Sequence, residues 1–120
     1  MKVIRVAHVA REPVVNPLFT GPVTMQPIVG GEQGKDFVIR QVNFCRGVRN
    51  KFHSHTAEQV LIVTEGEGIV ATDSEEIRVT PGDVIVIPPG EKHWHGATEE
   101  CTFSHIFIRP ISGKTTQLED

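Results

Sequence analysis

The sequence predicts an all-β fold, one sandwich or barrel of short antiparallel strands. Three observations carry this. Short runs rich in Val, Ile and Phe recur at intervals of about 8–12 residues, separated by Gly, Pro and Asp turns. No stretch sustains the apolar period of about 3.6 residues that an amphipathic helix needs. The chain is 120 residues long, enough for one hydrophobic core but not two. With 38% hydrophobic and 22% charged residues, its composition is that of a globular domain.

Taken in order, Met1–Ala10 alternates loosely through Val3, Ile4, Val6 and His8 and reads as an edge strand. Arg11–Pro17 holds two prolines and an asparagine and reads as a loop. Phe19–Pro27 is an extended piece whose prolines suit an edge. Ile28–Asp36 is a glycine-rich loop. Phe37–Phe44 is a strand by its β-branched and aromatic content. Cys45–Asn50 turns, and Lys51–His55 and Glu58–Thr64 are strands. Gly66–Gly68 turns into the strand Ile69–Thr72. Asp73–Glu76 is a polar hairpin turn before Ile77–Val79. Val84–Ile87, Trp94–Ala97 and Thr102–Arg109 complete the sheet. Beyond Pro110 the sequence is polar and reads as a frayed tail. The whole, 1–120, is one domain with its core over about 19–109, an N-terminal arm over 1–27 and a short tail over 110–120.

The chemistry concentrates between Gly47 and Gly66. Side chains alternate along a strand, so His53 and His55 share a face with Ser54 opposite. Gln59 keeps that parity if the strand resumes after a turn at Thr56–Ala57. All three can give a lone pair to a divalent ion. A second strand–turn unit follows. Thr80–Asp83 turns into Val84–Ile87, a Pro-Pro-Gly turn follows, and His93 is placed where it can meet the first group. Two such segments in one chain point to a metal site rather than to surface histidines near a turn.

These segments resemble the paired motifs of the cupin superfamily. Gly47, His53, His55, Gln59 and Gly66 fall at the spacings of the first motif, with Gln59 in the slot where an acidic residue is usual. Gly82, Pro88, Gly90 and His93 fit the second, with Ala97 where asparagine is usual. The resemblance implies a jelly-roll β-barrel. It narrows through Phe19-Thr20-Gly21, Arg49–His55 and Gly90–Ala97 to small cupins that include bacterial manganese-dependent hydroxynitrile lyases. That group implies one manganese ion held by His53, His55, Gln59 and His93; the imidazole donors themselves also suit Fe, Ni, Zn or Cu. It also matches His105 to a histidine that moves the proton. The chain departs from those lyases at Arg40 and Arg109, where they carry small or neutral residues.

Gln59 cancels none of the metal's charge, so such a site keeps its full positive charge and favours anionic ligands. His95 lies two residues past His93 and shares its face. His105 lies in phase with Phe103, Phe107 and Arg109. Each is either a satisfied core histidine or an acid–base group beside the metal. Arg40, in phase with Val42 and Phe44, and Arg109 either lie exposed at strand ends or face the cavity and grip an anion. If buried, they need an acid, and Glu58, Asp83 and Glu91 are the internal candidates. Trp94 faces away from His93 and suits a dimer interface.

The net charge is −3, which gives no support for nucleic-acid or anionic-membrane binding. No apolar run reaches the about 18 residues of a membrane span, and Met1–Arg5 leads into no signal-peptide core, so the expected location is cytoplasmic. Cys45 and Cys101 lack CxxC spacing and read as reduced, half-buried thiols. The expectation is a homodimer, its arm Val3–Pro27 crossing to the partner. The expected function is metal-dependent lyase, decarboxylase, isomerase or dioxygenase chemistry on a small carbonyl or carboxylate compound. A hydroxynitrile lyase and a non-catalytic sensor are the alternatives.

Overall fold

The computed structural model describes residues 1–120. It contains eleven strands: β1 (Glu12–Pro13), β2 (Val23–Val29), β3 (Phe37–Phe44), β4 (His53–His55), β5 (Gln59–Gly66), β6 (Gly68–Ala71), β7 (Glu76–Val79), β8 (Val84–Ile87), β9 (Trp94–Ala97), β10 (Phe103–Pro110) and β11 (Thr115–Gln117). Every pairing is antiparallel. One layer is a six-stranded sheet in the order β1-β2-β3-β10-β5-β8. The other is built from β7-β6-β9 and β11-β4, tied together by the bridges Arg49↔Gly96 and His53↔His93. The two layers form the predicted jelly-roll barrel.

Alternation along the strands decides what lies between the layers. Val38 and Val42 of β3, Leu61 and Val63 of β5, and Phe103 and Phe107 of β10 are buried in one apolar cluster with Phe44, Val79, Ile87 and Ala97. Val42 and Phe107 of this cluster also line the cavity of the site, beside the inward histidines of the same barrel.

The other face of β3 is also buried, but polar. The Gln41 amide donates to Gln26 Oε1 and Asn43 Oδ1, Asn43 donates to Gln26 Oε1 and Thr24, and Ser104 donates to Asn43. The Gln26 amide in turn donates to the carbonyls of Val6 and Val9 at 3.0 Å each. The arm therefore lies over its own sheet, and every member of the network has a partner, as burial requires.

The structure differs from the sequence reading in several places. Met1–Ala10 is not a strand: it makes a single 3-10 turn at Val6–His8, because its carbonyls are taken by Gln26 rather than by a neighbouring strand. The Arg11–Pro17 loop contains the short β1, whose Glu12 and Pro13 pair with Met25 and Thr24. The polar tail is not frayed. Thr115–Gln117 pairs with His55–His53, so its order comes from a partner strand and not from its own propensity. The cysteines are both free, Cys45 exposed and Cys101 half-buried.

Candidate metal centre

β4 sets His53 and His55 on one face, both buried. His93 precedes β9 and is brought opposite His53 by a reciprocal backbone pair, His53 N–H to His93 O at 2.9 Å and His93 N–H to His53 O at 3.0 Å. Side chains directly opposite in an antiparallel pair stand side by side, and the rings of His53 and His93 lie 4.3 Å apart, centre to centre. His55 is 4.9 Å from His53 and 5.3 Å from His93 by the same measure. Gln59, the first residue of β5, is buried beside them.

The donor atoms fit one ion. The three histidines each offer a ring nitrogen, all within 4.8 Å of one another. Bonds of about 2.1 Å to imidazole can close such a triangle with small side-chain rotations. Nε2 of His55, Nε2 of His93 and Oε1 of Gln59 are buried with no hydrogen-bond partner, which is the state expected of metal-facing lone pairs and is otherwise costly. The remaining nitrogens are held. His53 Nδ1 lies 2.7 Å from Lys51 O, His93 Nδ1 lies 2.8 Å from Glu91 O, and His55 Nδ1 lies 2.9 Å from Thr115 Oγ1. Ligating histidines are commonly oriented in this way.

Burial favours the neutral form of all three. Burial pushes His53 down to about 3, with His93 as the next cause. Burial, then His93 and the Arg109 charge, push His55 down to about 4. Burial also lowers His93. Neutral imidazole is the ligating form, so the group is ready for a cation without first losing protons.

His95 and His105 sit against this cluster. His95 is buried, 5.7 Å from the His53 ring and 5.8 Å from the His93 ring, centre to centre. Its Nδ1 lies 3.0 Å from Nε2 of His105, which is fully buried. Asn50 holds the His95 ring in place: its Oδ1 accepts the His95 backbone N–H at 2.8 Å, and its Nδ2 lies 3.2 Å from Nε2 and 3.4 Å from Nδ1 of the ring. One proton is shared between His95 Nδ1 and His105 Nε2. Burial holds His95 well below its usual pKa, with the neighbouring His105 the next cause, and burial pushes His105 down to about 4.

Above the cluster is a cavity of about 320 Å³ lined by His53, His55, Gln59, His95 and His105, with Arg40, Arg109, Val42, Phe107 and Met25 on its walls. His93 does not line it. Strand parity carries Arg40 to the same side as Val42, and Arg109 to the same side as His105 and Phe107. Arg40 is exposed at the mouth and Arg109 half-buried. The Arg109 Nη1 donates to the carbonyls of Pro110 and Gly113 at 3.3 and 3.2 Å. Burial and then the nearby Arg40 charge lower its pKa. The acids Glu58, Asp83 and Glu91 form no ion pair with either arginine. Trp94 is half-buried, and the Arg49 guanidinium lies 4.9 Å over its ring.

Sequence reading missed Asn50 and the whole C-terminal wall. Thr115 and Gln117 line the cavity. Glu119 receives Arg49 through both carboxylate oxygens, at 3.1 and 2.8 Å, and the Phe52 N–H at 2.9 Å. The Arg49 guanidinium and the Phe52 N–H hold the Glu119 carboxyl down to about 2. The parity of Thr115 and Gln117 was the available signal, and the polar composition of the segment concealed it.

The barrel, with its histidine group at one end, is the architecture of a cupin. A cupin-domain family model matches residues 42–108, and the chain belongs to that family. An (R)-mandelonitrile lyase from Granulicella tundricola is 34% identical over 98 residues, 80% of this chain and 75% of that one. The crystal structure of a cupin-like protein from Thermotoga maritima is 32% identical with a TM-score of 0.85, covering 94% of this chain and 89% of that one. A polyketide cyclase from Streptomyces resistomycificus superposes with a TM-score of 0.88 over 98% of this chain and 85% of its own, at 22% identity, a likeness of fold.

Proposed function

We propose that this cupin is a metal-dependent enzyme for a small compound bearing a carboxylate or carbonyl. His53, His55, Gln59 and His93 hold one divalent ion, manganese first among Mn, Fe, Ni, Zn and Cu. The observation that carries the reading is the pair Arg40 and Arg109, two guanidiniums on the wall of the cavity with no carboxylate of the chain beside them. Arg40 is exposed and Arg109 is half-buried with its Nη1 on two backbone carbonyls, so neither is a stranded buried charge. Two like charges set together on one wall instead make the cavity attractive to an anion that can accept from both.

When bound, the ion supplies a Lewis acid at the cavity floor. The chain supplies the rest. Gln59 ligates without neutralising the ion, so the cavity floor stays positive. Arg40 and Arg109 orient the anionic end of the ligand from above. His95 and His105, neutral and sharing one proton between His95 Nδ1 and His105 Nε2, line the cavity and act together as the acid–base pair that takes up or returns a proton there. Phe107, Val42 and Met25 exclude water from the remaining walls.

The test is binding of oxalate and of a small 2-keto acid to the metal-loaded protein. Wild type should bind both. Arg40→Ala and Arg109→Ala should each weaken binding by about 1–3 kcal/mol, as for hydrogen bonds to charged groups. Equal affinity in all three proteins would overturn the anion reading. Elemental analysis showing a full complement of metal in a His53→Ala/His93→Ala variant would overturn the metal site. A second reading, hydroxynitrile lyase activity, is favoured by the mandelonitrile lyase relative, and release of cyanide from mandelonitrile decides for it. Carboxylate binding with no turnover in a metabolite pool decides for a sensor.

A further inference from the structure

The three histidines are not held alike. His53 and His93 each turn Nδ1 to a carbonyl two residues earlier in their own segment, Lys51 O and Glu91 O. A carbonyl only accepts, so each Nδ1 must carry the proton and each Nε2 keeps its lone pair. His55 instead faces the hydroxyl of Thr115, 60 residues further along the chain. A hydroxyl can donate or accept, so local backbone does not fix the His55 tautomer.

Two observations favour the Nδ1–H form. His55 Nε2 is buried and makes no hydrogen bond of good geometry, the Gln59 side chain being the one polar group set close to the ring, whereas Nδ1 has Thr115 Oγ1 at 2.9 Å. And Thr115 is not loose. β11 pairs with β4, Lys114 N–H donates to Thr56 Oγ1 at 3.0 Å, and Leu118 N–H donates to Phe52 O at 2.8 Å. Glu119 then clasps Arg49 and the Phe52 N–H. These contacts bracket Thr115 on both sides and fix its hydroxyl against the His55 ring.

We propose that Thr115 is a positioning residue for the metal centre: its hydroxyl accepts the His55 Nδ1–H and so keeps the Nε2 lone pair aimed at the ion. The C-terminal strand is thereby part of the site. This rests on the reading of His53, His55 and His93 as ligands, and the experiment separates the two.

Thr115→Val keeps the shape and removes the acceptor, while Thr115→Ser keeps the acceptor. Two measurements are made on wild type and both variants. The first is the 15N spectrum of the His55 imidazole in metal-free protein. Wild type and Thr115→Ser should show the Nδ1–H tautomer, and Thr115→Val should show it displaced toward Nε2–H. The second is titration with Mn²⁺ alone, following free ion by its EPR signal. Thr115→Val should bind Mn²⁺ about 10–100-fold more weakly, the usual loss when a partner of a ligating histidine is removed, and Thr115→Ser should match wild type. An unchanged tautomer in Thr115→Val, or unchanged Mn²⁺ affinity in it beside a wild type that binds, overturns the proposal. A tautomer shift in Thr115→Val beside a wild type that takes up no Mn²⁺ supports the positioning role and overturns the metal reading instead.

Discussion

Five of the six histidines lie buried, and that places a pH-dependent weight on single residues. In the unfolded chain they protonate near the ordinary value of about 6.5. In the native protein His53 is lowered to about 3, His55 and His105 to about 4, and His93 and His95 are lowered as well. Below about pH 6.5 the unfolded state therefore binds protons that the native state refuses, and stability falls as pH falls. Each histidine removes up to about 1.4 kcal/mol per pH unit until its native pKa is reached. Metal-free protein in urea should be several kcal/mol less stable at pH 5 than at pH 7. A flat profile over that range would show that these side chains are solvated. Individual side chains were partly legible in the sequence. Parity alone placed Arg40 with Val42 and Arg109 with His105. It could not show that the Asn50 side chain reaches His95, because that contact joins residues 45 apart.

At the scale of elements, one turn carries an unusual constraint. Gly66 closes β5 with φ +72°, and a Cβ there would run into the Thr102 carbonyl. The position follows a bulge in the pairing of β5 with β10, where the register shifts between Ser104 and His105. That shift lets Val63 and His105 face inward together. Gly66→Ala adds left-handed backbone strain to a clash with backbone, so it should cost about 2 kcal/mol or more, read as a lower urea midpoint. A midpoint equal to wild type would mean that the turn yields freely. Strands rich in Val, Ile and Phe, such as Phe37–Phe44 and Val84–Ile87, were legible to the residue. Their side chains prefer the half-buried pleated surface that they occupy. Thr115–Gln117 was not, because a short polar segment becomes a strand only when β4 offers it a ladder. Met1–Ala10 failed for the opposite reason: its alternation suits a strand, but its carbonyls bond to Gln26 instead.

At the scale of the whole molecule, apolar side chains remain uncovered near open edges. Val84 and Val86 on the edge strand β8 are each 59% exposed, and Val3 and Val15 in the arm are 73% and 101% exposed. Open apolar edges invite association, and the expected state is a homodimer. Sedimentation at micromolar concentration should give twice 13.3 kDa, and the mass of one chain would refute it. No helix of the molecule is long and apolar enough to cross a membrane.

The backbone pair between His53 and His93 also bears on how the protein reaches its native state. Of the four candidate ligands His53, His55 and Gln59 are near neighbours in the chain, and His93 and the partner of His55 arrive by long-range pairing. Closing such distant contacts is the slow part of folding an antiparallel barrel. Until it is done, the chain offers an ion three loosely held side chains and no pocket. A divalent ion held by this group would therefore act on the finished barrel, drawing the equilibrium toward the native state by mass action, rather than template a fold that the polypeptide has to build unaided.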